Sequence, residues 1–379
     1  MKRNGDRIQS THVGSLPRPD DLVQMLANRH DPATKPALEA RIAAVIDELA
    51  AQQIAAGVDI VSDGEASKVG FSTYVSDRYA GFGPEPTMLI FADAAETADR
   101  NRRPTTGGPR PSHYELIGPI SLKDRTAIQA DIVNLAHALG DKPRDEAFMT
   151  ALTPGHLSLV TANHHYRSRE EFMYAAADAL REEYVAVVNA GFNLQLDAPD
   201  LGMCGHFGQQ GHAQVDPKIY VPLAIEVLNY ATRDLPPEKL RLHLCWGNYA
   251  VPHHRDVEFR EIIDVVLKAR PMFLSFEAAN PRHAHEWEVW QTTPVPSDKV
   301  LMPGVIDTVT GIVEHPRLVA QRLETFARIV GKENVIACTD CGFSTFAGNS
   351  AVPPAVVWMK LQSMAQGAQL ASENLWRRK

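Results

Sequence analysis

The sequence is poor in cysteine and has no excess of basic residues. Only 4 of its 379 residues are cysteine, which is too few for the disulfide framework of a small secreted protein. Lys and Arg together number 38 against 46 Asp and Glu, so the formal net charge is −8. Because nucleic-acid binding needs a basic surface, we expect no nucleic-acid partner.

Long apolar runs are also absent. The first residues, MKRNGDRIQSTHVG, lack the apolar segment of a signal peptide. No run approaches the roughly 20 apolar residues of a membrane helix. We therefore expect a cytoplasmic protein without a membrane partner. Its thiols (Cys204, Cys245, Cys338 and Cys341) should stay reduced and serve as core, ligands or nucleophiles.

What the chain does have is an alternation of short apolar runs with helical segments. Helix-like spacing covers 36–56, 169–190, 258–269 and 316–330, and several of these segments run into a glycine. The strand candidates are 8–14, 58–63, 114–120, 148–153, 192–197, 241–246, 272–277, 300–306 and 334–339. This pattern predicts a parallel sheet covered by helices.

Nine strand candidates favour a (β/α)8 TIM barrel with one surplus strand, either 114–120 or 148–153. A dinucleotide-binding sheet is disfavoured, since no G-x-G-x-x-G follows the first strand. We interpret 1–379 as a single α/β domain, in which the Pro- and Gly-rich stretch of about 84–112 is an irregular loop insertion.

The chemistry of a barrel lies at the carboxyl ends of its strands. In RLHLCWGN (241–248), His243 and Cys245 are two positions apart and face the same way on a strand. Glu277 and Cys341 follow later strands, and the four side chains together suit Zn²⁺. Spacing alone leaves core packing open, and CTDC (338–341) also reads as a redox C-x-x-C. We expect Cys338 to pack against the helix layer.

Two further groups of residues have alternative readings. Cys204, His206 and His212 could form a second metal cluster, although a flexible surface loop is the favoured interpretation. Asp307 follows the strand at 300–306, where a carboxylate can either donate a proton or cap the next loop. Both readings of Asp307 stay open.

Several motifs occur in a fixed order along nearly the whole chain: THVGSLPRP, SDGE, LQLDAPDL, HLCWGN, FEAAN, PGVID and TDCGF. In this order the chain resembles the catalytic C-terminal barrel of the cobalamin-independent methionine synthase family. It looks most similar to single-barrel relatives, which include epoxyalkane:coenzyme M transferase. The resemblance implies a (β/α)8 barrel and zinc held by His243, Cys245, Glu277 and Cys341.

The resemblance also implies a place for the acceptor. Gly14, Ser15, Glu65 and Asp197 match the residues that hold the amino-acid end of homocysteine in the family. Two carboxylates suit an ammonium group on physical grounds as well.

Three departures from the family pattern leave the donor open. The full synthase has a second, N-terminal barrel that is absent here. Val309 stands where the synthase has a histidine used in proton handling. The sequence around Glu65 differs and places Lys68 nearby.

We therefore predict a zinc-dependent S-alkyltransferase, most simply a methyltransferase of methionine biosynthesis. A zinc-activated thiolate of homocysteine or a similar small thiol would attack a methyl donor, methylfolate-like or other, with Asp307 as the candidate acid. One alternative is thiol–epoxide addition, in which Arg18 or Lys68 would bind the sulfonate of coenzyme M. Others are a non-catalytic zinc-binding barrel and a metal-free decarboxylase barrel. The partners would be small molecules, and homo-oligomerisation is left open.

Overall fold

The computed structural model describes residues 1–87, 93, 96, 113–206, 215–250 and 252–376. Its strands are β1 (Val61–Ser62), β2 (Tyr79–Thr87), β3 (His113–Leu122), β4 (Ala147–Leu152), β5 (Asn193–Asp197), β6 (Leu240–Leu244), β7 (Phe273–Phe276), β8 (Val300–Ile306) and β9 (Cys338–Thr339). Its helices are α1 (Asp20–Ala27), α2 (Lys35–Ala55), α3 (Tyr74–Arg78), α4 (Thr126–Ala138), α5 (Pro154–Val160), α6 (Arg169–Asn189), α7 (Asp200–Met203), α8 (Pro217–Ala231), α9 (Phe259–Val266), α10 (Pro316–Val330) and α11 (Pro354–Trp376).

Seven strands form one parallel sheet in the order β1-β4-β5-β6-β7-β8-β9. The first predicted strand, 8–14, contributes only two bridging residues. Ser10 pairs with Ala337 beside β9, and Thr11 pairs with Ile60 beside β1, both in parallel. This segment therefore joins the two edges of the sheet, which closes it into the expected (β/α)8 barrel.

The surplus strand is 114–120. It lies in β3, which pairs antiparallel with β2 outside the barrel sheet. Residues 84–87, which the sequence analysis places in the irregular insertion, are instead the end of β2, because their backbone pairs with the start of β3. The rest of 84–112 lies outside the described residues, apart from positions 93 and 96.

Burial explains why the barrel strands read as continuous apolar runs. All residues of β4 and of β8 are buried, as expected for parallel strands covered on one face by helices and on the other by the barrel interior. The helices are amphipathic: in α10 the buried positions include Val319, Leu323 and Phe326. The helix stops at Gly331, whose φ of 88° suits glycine.

Cys338 is a correction to the sequence analysis. It does not face the helix layer but is fully buried in a cluster that contains Phe273 of β7 and Met302 of β8. Its Sγ lies 3.6 Å from Ser275 Oγ. The alternation of side chains along a strand does not predict whether Cys338 and Cys341 face the same way. The reason is that β9 ends at Thr339 and the chain bends before Cys341.

Within the described part of the chain, no helix combines the length and hydropathy that a membrane span requires.

Candidate functional site

The carboxyl ends of the barrel strands surround a cavity of about 260 Å³. Neighbouring strands place polar residues side by side at this end of the barrel: Asp197 at the end of β5 pairs with His243 on β6, and His243 pairs with Ser275 on β7. The lining includes His243, Cys245 and Cys341 together with Glu65 and Asp197. Three of the four predicted metal ligands therefore share one cavity with three of the four predicted acceptor residues, Ser15, Glu65 and Asp197.

Three of the four predicted ligands meet in one group. Single ligand atoms of His243, Cys245 and Cys341 all lie within 4.8 Å of one another, and all three residues are buried. Cys341 Sγ is 3.9 Å from His243 Nε2 and 3.6 Å from Glu277 Oε1. Glu277 thus adjoins the group through Cys341.

The imidazole of His243 lies in an environment that keeps it uncharged, and a neutral imidazole is the form that can bind a metal ion. Its Nδ1 lies 3.2 Å from Ser275 Oγ, which leaves Nε2 on the side of the cysteines. Burial, with a smaller contribution from the charge of Arg241, lowers the His243 pKa to about 3. The ring is therefore uncharged near neutral pH, and one of its two nitrogens has a lone pair for a metal ion. Ser275 carries no sequence signal for this role.

The two thiols are in an environment that disfavours thiolates unless a cation is bound. Burial raises the pKa of Cys341 well above its usual value, and the neighbouring Cys245 and Glu277 raise it further. For Cys245, the hydrogen bond with Cys341 lowers the pKa, but burial and Glu277 outweigh that effect. A divalent ion reverses this balance, because a coordinated thiol loses its proton. Soft sulfur ligands with an imidazole and a carboxylate fit Zn²⁺.

The carboxylate of Glu277 is held by two N–H donors. Its Oε1 accepts a hydrogen bond of 2.7 Å from the Trp246 backbone, and its Oε2 accepts one of 2.6 Å from Asn280 Nδ2. Burial raises the Glu277 pKa to about 7, an effect that His283 reduces and Asp340 reinforces. The Glu277 carboxylate therefore contacts Trp246 and Asn280 as well as Cys341.

The predicted acceptor residues lie on the wall formed by the first strands. Glu65 Oε1 accepts 2.9 Å from Thr150 Oγ1, while its buried Oε2 has no hydrogen-bond partner among the described residues. A Cβ on Gly14 would meet Thr150 Cγ2 at 2.6 Å and Glu65 Oε1 at 3.3 Å. The backbone of Gly14 thus approaches this carboxylate closely, and Ser15 also lines the cavity.

Asp197 faces the same cavity, and Gln195 Nε2 donates to its Oδ1 at 2.9 Å. Burial, followed by the nearby charge of Glu65, raises the Asp197 pKa well above its usual value. Two buried carboxyl groups that disfavour each other's charge form a place where a positive group is favourable.

Arg18 and Lys68, the two cations considered as partners for a sulfonate, bind other groups of the protein. Arg18 donates to the backbone oxygens of Glu65 at 2.6 Å and Ser344 at 2.9 Å. Lys68 Nζ donates to the backbone oxygen of Thr150 at 2.6 Å. Both side chains are buried, and neither lines the cavity.

Comparisons with known proteins find relatives along nearly the whole chain. Methionine synthase from Saccharolobus solfataricus is 23% identical over 381 residues, covering 98% of this chain and 97% of the relative. Methionine synthase from Sulfolobus acidocaldarius is 22% identical over 371 residues, covering 97% of this chain and 93% of the relative. No family model matches the chain.

Solved structures with the same fold carry similar descriptions. The chain aligns with a B12-independent methionine synthase from Shewanella sp. W3-18-1 in complex with selenomethionine, with a TM-score of 0.72, 20% identity and coverage of 98% and 99% of the two chains. A putative vitamin-B12-independent methionine synthase from Listeria monocytogenes gives a TM-score of 0.67, 19% identity and coverage of 97% and 98%. The resemblance to the cobalamin-independent methionine synthase family is confirmed.

Asp307 lies apart from the cavity of this methionine-synthase-like barrel. Its carboxylate accepts hydrogen bonds from the backbone N–H groups of Val309 at 2.8 Å and Thr310 at 3.2 Å, and from Thr310 Oγ1 at 2.6 Å. Neither Asp307 nor Val309 lines the cavity. These contacts are those of a loop cap, and the role of Asp307 as an acid stays a prediction.

His206 is a second correction. The sequence analysis favours a flexible surface loop, yet His206 is buried, with Nε2 2.8 Å from Asp256 Oδ1. His253 and His283 approach the other oxygen of Asp256, each at 3.0 Å. Their convergence on one carboxylate explains why His206 is held in place. His212 lies outside the described residues.

Sequence reasoning also missed one part of the cavity lining. Phe71, His113, His156, Met203 and Phe346 line it. His113 belongs to β3 and His156 to α5, and neither lies at the end of a barrel strand. Burial lowers the His156 pKa to about 3, so its ring is neutral. These residues form a mainly apolar wall of the cavity.

Proposed function

We propose that this chain is a zinc-dependent S-methyltransferase that acts on homocysteine or a closely related amino-acid thiol. The observation that carries the proposal is the shared cavity, in which His243, Cys245 and Cys341 lie beside the carboxyl pair of Glu65 and Asp197. The names of the relatives, methionine synthases from several organisms, support the same reaction class.

In this proposal His243, Cys245, Glu277 and Cys341 hold the zinc. When bound, zinc supplies a Lewis acid that keeps a substrate thiol as the nucleophilic thiolate near neutral pH. The chain's own residues orient the acceptor: Glu65 and Asp197 bind its ammonium group, and the Gly14 backbone and Ser15 lie beside its carboxylate end. The apolar wall keeps water away from the reacting sulfur.

The charge of the cavity favours an amino-acid thiol over a sulfonated one. A sulfonate needs a cation at the cavity surface, but Arg18 and Lys68 are bound to backbone carbonyl oxygens. An ammonium group needs acceptors, and Glu65 Oε2 is a buried acceptor with no partner among the described residues. Thiol–epoxide addition with coenzyme M is therefore the second choice.

The proposal also needs a methyl donor and a source for the proton that its leaving group takes up. The donor carries an electrophilic methyl group, methylfolate-like or other, which the sulfur attacks in line. The leaving nitrogen or oxygen needs a proton, for which Asp307 is the proposed source; to reach the donor, its carboxylate would have to leave the hydrogen bonds to Val309 and Thr310 that hold it outside the cavity. Since the thiols must stay reduced, we keep the cytoplasm as the proposed compartment.

The test is a donor and acceptor screen with the purified full chain. Zinc content is measured first, with one equivalent expected. Homocysteine and coenzyme M are then each incubated with methylfolate, methylcobalamin, aryl methyl ethers and small epoxides, and products are identified by mass spectrometry. We expect methionine from one of the methyl donors. Product only from coenzyme M with an epoxide would support the second choice, and bound zinc without any thiol chemistry would support a non-catalytic barrel.

A further inference from the structure

Asn280 lies three residues after Glu277 in FEAAN and contacts its carboxylate directly. Asn280 Nδ2 donates to Glu277 Oε2 at 2.6 Å, while the Trp246 backbone N–H donates to Oε1 at 2.7 Å. Both oxygens of Glu277 therefore have a protein N–H donor. Hydrogen bonds to an ionised carboxylate are among the stronger ones in proteins.

The Asn280 amide is itself fixed by Asp340, the residue before Cys341. Asp340 Oδ2 accepts from Asn280 N at 2.8 Å and from Asn280 Nδ2 at 3.1 Å. Asp340 Oδ1 accepts from the backbone N–H groups of Ala278 at 2.9 Å and Ala279 at 2.8 Å. The donor that faces Glu277 is thus held in place through the same turn that carries Cys341.

The position of Glu277 differs from that of the three other proposed ligands. His243, Cys245 and Cys341 lie within 4.8 Å of one another, whereas Glu277 reaches this group through Cys341 and is drawn toward Trp246 and Asn280. A carboxylate with two fixed donors is stabilised when it is not coordinated. The cost of releasing it from a metal ion is therefore reduced.

We propose that Asn280 is a positioning residue that holds the Glu277 carboxylate in the place it takes when a substrate thiol replaces it as the fourth zinc ligand. This inference rests on the proposed function. With zinc bound, the substrate thiol would lose its proton to water, and Glu277 would stay a carboxylate held by the Asn280 and Trp246 N–H donors. Asn280 touches neither substrate nor metal and acts through Glu277.

The experiment uses the full chain with Co²⁺ in place of zinc, because thiolate coordination to Co²⁺ is visible in the absorption spectrum. L-Homocysteine is titrated into the wild-type protein and into Asn280→Ala. We expect the variant to keep one equivalent of Co²⁺. Its half-maximal spectral change should need about tenfold more homocysteine or higher, since one charge-assisted hydrogen bond to the released carboxylate is lost.

Two further variants separate this role from a structural one. Asn280 Oδ1 also accepts from the backbone N–H groups of Arg282 at 3.0 Å and His283 at 3.1 Å. Asn280→Asp keeps that acceptor and removes the donor, so it should weaken the thiol response as Asn280→Ala does. Arg282→Ala changes an exposed side chain in the same turn and should titrate like the wild type.

Wild-type titration curves for both Asn280→Ala and Asn280→Asp would overturn the inference while leaving the proposed function intact. A wild-type spectrum that does not respond to homocysteine would refute the proposed function, and the positioning role with it. The wild-type titration therefore tells the two failures apart.

Discussion

Replacing Cys341 by serine is the most direct test of the metal-ligand group. The substitution removes a sulfur that lies 3.9 Å from His243 Nε2 and 3.6 Å from Glu277 Oε1. Serine cannot supply a thiolate at neutral pH. Zinc held by a structural-type site is bound with roughly 10–16 kcal/mol. If four ligands share about 12 kcal/mol equally, losing one weakens zinc binding by ~3 kcal/mol, or at least about a hundredfold.

The measurement is zinc content after dialysis against a chelator of known affinity, read by mass spectrometry of the metal. Cys338→Ser is the matched control, because Cys338 is also buried and belongs to the same segment but lies against Ser275 Oγ at 3.6 Å. It should keep one zinc. Cys245→Ser should lose zinc as Cys341→Ser does. Equal zinc retention by Cys341→Ser and Cys338→Ser would refute the assignment of Cys341 as a ligand.

Three further predictions concern the acceptor and the proton. Glu65→Gln should keep its zinc and raise KM for homocysteine about tenfold or more, because one charge-assisted contact to the ammonium group becomes a neutral one; steady-state kinetics measure this, and an unchanged KM removes Glu65 from the acceptor site. The raised pKa of Asp197 means that ammonium binding displaces a proton at low pH, so KM for homocysteine should fall as pH rises until the ammonium group itself deprotonates. Asp197→Asn should flatten that profile, and an identical slope in both proteins would contradict the assignment. Asp307→Asn should lower kcat with KM unchanged if Asp307 is the acid, whereas a lower melting temperature with an unchanged kcat would leave Asp307 as the loop cap that its hydrogen bonds describe.

The barrel could be predicted because its signals are local. Fully buried parallel strands such as β4 and β8 read as apolar runs, and α10 matches its predicted bounds of 316–330. The segment 8–14 was less informative, since it reads as a full strand but forms only the bridges at Ser10 and Thr11. The sequence did not predict that β3 lies outside the barrel. That position follows from its pairing with the antiparallel strand β2, which is not an apolar run in the sequence.

The candidate site was predictable only as far as strand ends could show it. His243 and Cys245 share a face because they are two residues apart, and parallel strand order brings Cys341 to the same rim. Ser275 and Asn280 carried no signal, because a serine within a strand and an asparagine after one are ordinary in any α/β protein. Their roles depend on distances across the rim, which one chain's sequence does not contain.

Both halves of the cavity favour positive charge, and this links the metal to the acceptor. Burial and neighbouring acidic groups raise the pKa values of Cys341 and Glu277 on one side and of Asp197 on the other. A divalent ion lowers the cost of ionising the first group, and an ammonium group lowers the cost of ionising the second. In the proposed function, one molecule of an amino-acid thiol would bring its sulfur to the first group and its ammonium to the second. A thiol without an amino group reaches only the sulfur side, so 3-mercaptopropionate should bind far more weakly than homocysteine, although both present a primary thiol.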